Sequence, residues 1–100
     1  MADLIWSRRS ADDLSAIYSH VSEESDRAAS NLIDSITMAT VRLSDFPLSG
    51  RVVPEFNRQD IREVIVGNYR VVYQLLGESV GIALVHHGAR LLRRSDLRQA

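Results

Sequence analysis

Ile61-Arg-Glu-Val-Ile-Val-Gly-Asn-Tyr-Arg-Val-Val-Tyr-Gln-Leu-Leu76 is two runs rich in β-branched and aromatic residues on either side of Gly67-Asn68. Glycine followed by asparagine between such runs is the signature of a two-residue hairpin loop, whose backbone must reach positive φ to follow the twist of the strands. A second turn, Gly77-Glu78, leads directly into Val80-Gly-Ile-Ala-Leu-Val-His-His87. The segment therefore predicts a three-stranded antiparallel meander.

Period-two alternation assigns its faces. Pairing Val66 with Tyr69 sets Val64 opposite Val71 and Arg62 opposite Tyr73. Pairing Leu76 with Ser79 sets Tyr73 opposite Ile82, Val71 opposite Leu84 and Tyr69 opposite His86. One face then carries Val64, Val66, Tyr69, Val71, Tyr73, Leu75, Val80, Ile82 and Leu84 and is apolar enough to be a core. The other carries Glu63, Ile65, Arg70, Val72, Gln74, Ala83, Val85 and His87, and its mixture of charge and apolar surface makes it the place to look for function.

Upstream, Asp3-Leu-Ile-Trp-Ser7 reads as a short strand with Leu4 and Trp6 on one face. Ser10 and Asp13 resemble a capping pair that starts a helix just before Ala11, with Leu14, Ile17, Tyr18 and Val21 as its apolar stripe. A second helix starts at Ser25-Asp26 and carries Ala29, Leu32, Ile33, Ile36, Ala39, Thr40 and Leu43; Pro47 closes it. Residues 51–56 read as an extended crossover. Leu91 to Arg98 read as a short helix or a docked tail anchored by Leu91, Leu92 and Leu97. The expected architecture is one two-layer α/β domain of the α+β kind, residues 1–100: N-terminal strand, αα-hairpin, antiparallel three-stranded meander. The first strand is expected beside the last.

Composition narrows the class. With 45% hydrophobic and 25% charged residues the chain reads as globular. The absence of cysteine excludes disulfides and thiolate metal sites. No apolar leader or membrane-length run is present, so the expected location is cytoplasmic. All twelve basic residues are arginine. Residues 51–100 hold eight of them against five acids, about +3, so the C-terminal half is the basic one.

Strand, helix hairpin and meander in this order, with Phe46-Pro-Leu-Ser-Gly-Arg51, Arg62-Glu63, Gly67-Asn-Tyr-Arg-Val-Val-Tyr73 and His86-His-Gly-Ala-Arg90, resemble the ParE/RelE superfamily of toxin–antitoxin toxins, most nearly its ParE-like members. The resemblance implies a toxin of a type II, plasmid-stabilisation kind of system. It implies growth inhibition by binding DNA gyrase and neutralisation by a cognate ParD-like antitoxin in a hetero-oligomeric complex. DNA contact is then expected only through the antitoxin. RelE-like members instead imply a ribosome-dependent messenger RNA endoribonuclease, and an inactive homologue acting only with its antitoxin is a third alternative.

RNA cleavage needs a base for the 2′-hydroxyl, cations for the phosphorane and an acid for the leaving oxygen. The lysines of RelE-like nucleases have no counterpart here, since Ile61 and Glu63 stand where they would be expected. A substitute constellation is Glu63 as base, Arg70 as phosphate clamp and His87 as acid, set against an ordinary Glu–Arg pair that holds the hairpin register. Ile65, Val72 and Val85 on the same face point to antitoxin contact, or to cover by the chain's own tail. Arg70 with Arg90, Arg93 and Arg94 forms the expected target-binding set, arginine being suited to bidentate contacts with carboxylates and phosphates. Tyr69 and Tyr73 read as packing residues and His86 as a structural histidine on the core face. The adjacent histidines point to opposite faces and make no metal pair; no metal or cofactor is expected.

Overall fold

The computed structural model describes residues 1–98, and the hairpin at its centre has the register that its turn imposes. Strand β3 (Ile61–Val66) pairs with β4 (Tyr69–Leu76), Val66 opposite Tyr69, Val64 opposite Val71 and Arg62 opposite Tyr73. Gly67 (φ +57°) and Gly77 (φ +63°) supply the positive φ of the two turns. Strand β5 (Ser79–His87) completes the meander. Two further strands extend it at the edges. β1 (Asp3–Trp6) runs parallel to β5, and β2 (Arg51–Val52), within the expected crossover, pairs with β3, giving the order β1-β5-β4-β3-β2.

Helices α1 (Arg8–Ser22) and α2 (Asp26–Asp45) cover one face. Ser25 caps α2 as expected, its Oγ accepting from the Ala28 N–H at 3.1 Å. The start of α1 lies three residues before its expected place. Ser7 is the cap, accepting from the Ser10 N–H at 3.0 Å, while Ser10 is buried. The Ser10/Asp13 spacing had mimicked a cap; Asp13 in fact serves the sheet. The core between the layers gathers Ile17, Ile36, Leu43, Val71, Tyr73, Val80, Ile82 and Val85, with Leu4, Trp6, Leu14 and Leu32 at its margin. The Tyr73 hydroxyl accepts from the Gly50 N–H at 2.9 Å and donates to the Pro47 carbonyl at 2.7 Å, which ties the α2–β2 turn to the core. Tyr73→Phe strands that buried N–H, and urea denaturation is expected to show a loss of about 1–3 kcal/mol.

The expected β4–β5 register holds from Leu76–Ser79 up to Tyr73–Ile82 and then breaks. Val72 pairs with Leu84 and Val71 with Val85, leaving Ala83 as the extra residue of a β-bulge. Beyond it every side chain changes face. Leu84, expected under the helices, packs on the opposite side, and Val85, expected on the open side, is in the helix-side core. The start of α1 takes up the backbone groups the bulge frees: Ser7 Oγ donates to the Ala83 carbonyl at 2.7 Å, and the Val85 N–H donates to Asp13 Oδ2 at 3.0 Å.

The second face is not open. Residues 53–56 and the C-terminal segment, ending in the short helix α3 (Arg94–Arg98), lie over it. They build a second core of Val53, Ile61, Val72, Ala83, Leu84 and Leu92, flanked by Phe56 and Leu97. Among the described residues no helix is long and apolar enough to cross a membrane.

Candidate functional site

Strands β3 and β4 set Glu63 and Arg70 on the second face, where residues 53–56 and the C-terminal segment close over them. Arg70 is 5% exposed. Its Nε donates to Glu63 Oε1, its Nη1 to Glu55 Oε2, and its Nη2 to Glu55 Oε1 at 2.7 Å. Arg51 reaches in from β2 and donates from Nε to Glu63 Oε2 at 2.6 Å. Two arginines and two glutamates thus form one chain of charge-assisted hydrogen bonds in which all three Arg70 nitrogens are engaged. The guanidinium beside it holds the Glu55 carboxyl down at about 2, against the opposing effect of burial, and the carboxylates raise Arg70 further.

Glu55 also fixes the covering segment: its Oε2 accepts from the Leu92 N–H at 3.1 Å. A second tie runs from Arg9, which bridges Asp13 and Asp96, while Asp96 accepts from the Arg93 N–H at 2.7 Å. Leu92 is buried and Leu97 half-buried, but Leu91, expected as an anchor, is 81% exposed.

These positions revise the expected site. Glu63 has no side-chain exposure, and Arg70 is turned inward onto two carboxylates and not outward toward solvent. His87 is displaced by the bulge. It pairs with Tyr69 and meets that ring edge-on at 5.5 Å, so it makes no hydrogen bond with Glu63 or Arg70, although it lines with Arg51, Ile65 and Arg70 a hollow of about 360 Å³ beside the β3–β4 turn. His86 takes the place opposite Arg70 instead. It is buried, its Nε2 has no hydrogen-bond partner among the described residues, and burial shifts it toward the neutral form. Of the apolar residues expected to meet an antitoxin, Val72 and Val85 are buried within the chain, and Ile65 remains exposed at 56%. Arg90, Arg93 and Arg94 are exposed as expected, around the C-terminal segment. One hollow there, of about 610 Å³, is lined by His86, Arg90, Arg93 and Asp96 among others; a second, of about 540 Å³, by Glu55, Phe56, Arg58, Arg94 and Leu97. The residues that sequence reasoning missed are Glu55 and Arg51. Their only signal was a pair of opposite charges in an otherwise apolar crossover. Among the described residues no three His, Asp or Glu side chains cluster as a metal site would require.

The network gives a pH prediction. The folded carboxyl of Glu55 titrates near 2 and the unfolded one near 4.5, so its contribution is complete above about pH 4.5 and is lost as pH falls toward 2. Urea midpoints are expected to fall through that window, and Glu55→Gln is expected to flatten the fall while hastening hydrogen exchange at the Leu92 amide.

Comparison with known proteins agrees with this architecture. Residues 4–92 match the family model described as ParE toxin of type II toxin-antitoxin system, parDE. The chain is 30% identical over 91 residues to Toxin RelE2 of Caulobacter vibrioides, covering 91% of this chain and all of that one. Its fold superimposes with a TM-score of 0.72 on a chain from the chromosomal ParDE TA system of P. aeruginosa, at 22% identity, covering 87% of this chain and 96% of that one. With strand order, helix hairpin and meander all in place, the chain belongs to the ParE toxin family of type II toxin–antitoxin systems.

Proposed function

We propose that this toxin inhibits growth by binding a protein target, DNA gyrase, through the arginines displayed around its C-terminal segment, and that a cognate ParD-like antitoxin in the cytoplasm neutralises it. The observation that carries the non-catalytic reading is the engagement of Arg70 by Glu63 and Glu55. A nuclease needs that cation turned toward a phosphate, and here it is internally neutralised and buried. Arg90, Arg93 and Arg94 are by contrast exposed on one segment, and a guanidinium is well matched to carboxylates on a protein partner. Ile65, the exposed apolar residue of the expected antitoxin set, together with Arg51 supports an antitoxin contact at the β2–β3 edge.

The relative named Toxin RelE2 favours a second reading, a messenger RNA endoribonuclease. One experiment separates the two: induce the chain without an antitoxin and follow plasmid supercoiling and transcript integrity together. Loss of supercoiling ahead of any transcript loss is the expected result. Rapid transcript cleavage with supercoiling intact would overturn the proposal. If growth and both readouts are unaffected, the inactive-homologue reading replaces it.

A further inference from the structure

Strand β1 lies at the margin of the sheet with its outer side unpaired. In its parallel ladder Ser7 donates its N–H to the Ile82 carbonyl at 3.0 Å, so by alternation Asp3 and Ile5 also turn their backbone groups toward β5. Leu4 and Trp6 must then turn theirs outward. On that side the Ala2 N–H is taken by the Ser44 carbonyl at 2.8 Å, but no hydrogen bond among the described residues takes up the N–H or C=O of Leu4 or Trp6. β1 has no proline, no lysine and no bulge to block a further strand; its protections are its length of four residues and the charge of Asp3. Its outward side chain on the second face, Ile5, is 51% exposed and lines, with Leu76, 47% exposed, a hollow of about 310 Å³ that Arg58 and Gln74 share, the Leu76 side chain lying over Gly81.

We propose that a second copy of this chain occupies this edge, β1 pairing antiparallel with β1 about a two-fold axis through Ile5. This register is the one that uses every free group. Leu4 faces Trp6 of the other copy, and Trp6 faces its Leu4, as two hydrogen-bonded pairs; Ile5 faces Ile5 as the close, non-hydrogen-bonded pair between them. The same register sets Asp3 opposite Ser7 of the other copy, next to its Arg8. Asp3 and Arg8 are exposed and neither has an ion pair among the described residues. The edge is therefore self-complementary in hydrogen bonds, in apolar contact and in charge, as an isologous interface requires. The two five-stranded sheets become one, with both helix layers on the same side.

The test is the mass of the purified chain by analytical ultracentrifugation at about 10 µM, with amide exchange read at Leu4 and Trp6. The wild type is expected to be dimeric, with both amides protected. Ile5→Lys, which sets two ammonium groups face to face, is expected to be monomeric with an unchanged circular dichroism spectrum. Asp3→Arg and Arg8→Asp are each expected to weaken dimerisation about tenfold, and the double swap to restore it. Wild-type chain that stays monomeric, or a double swap that recovers nothing, overturns the proposal. So does protection of the Leu4 and Trp6 amides that arises only when an antitoxin is added.

Discussion

Arg70→Ala is expected to lower the free energy of unfolding by about 3–5 kcal/mol, the largest single loss from any side chain of the second face. The cost does not come from the ion pairs as such. It comes from what the deletion leaves behind: Glu63, whose side chain has no exposure, keeps Arg51 as its one cation, and Glu55 loses both of its guanidinium contacts. Glu55 in turn holds the Leu92 N–H, so the damage extends to the segment that covers the second core. Arg51→Ala is the control. That side chain is 61% exposed, and its removal is expected to cost no more than about 1 kcal/mol. Urea denaturation of the two variants decides the matter, and an Arg70→Ala loss within about 1 kcal/mol would show that the network does not act as a buried unit. One consequence bears on function: an Arg70 variant that fails to inhibit growth is not thereby shown to have lost a target contact.

The double change Arg93→Ala, Arg94→Ala is expected to abolish growth inhibition while melting temperature and antitoxin binding stay near those of the wild type. Both side chains are exposed, and the anchors of their segment lie elsewhere, in Leu92, in Asp96 and in the Glu55 carboxylate. What the segment owes to Arg93 is its backbone N–H, which donates to Asp96 and survives the substitution. Removing two guanidinium groups therefore strips charge from the surface between the two hollows without loosening the cover. A target that binds there loses bidentate contacts, which in desolvated interfaces are worth several kcal/mol. Growth of cells expressing the double variant, beside thermal melts of the purified protein, supplies the comparison. Full toxicity at unchanged stability would remove the C-terminal arginines from the target-binding surface.

Local rules carried the sequence reading a long way because much of this fold is written in local signals. Gly67-Asn68 and Gly77-Glu78 set both turns, and with them the β3–β4 register and the first half of the β4–β5 register. The spacing of Ala29, Ile36, Thr40 and Leu43 fixed the buried stripe of α2, and Ser25 its start. Tyr73 was recognisable as core. The bulge at Ala83 was not, since Ile82-Ala-Leu-Val85 is apolar on both faces and such a run fits either register equally well. Only the packing of α1 decides it, through Ser7 and Asp13, which lie more than seventy residues away in the chain and bond to the freed groups. That one residue moved Leu84 and Val85 across the sheet and exchanged the places of His86 and His87. The burial of Arg70 was equally a tertiary matter. Its sequence neighbours mark it as a strand residue on a mixed face, whereas its charge is balanced by Glu55 on a distant loop, itself held by the Leu92 N–H beyond the sheet. Short-range chemistry determined the elements and their order; long-range contacts determined which of the charged side chains face solvent, and with that where the toxin can meet another molecule.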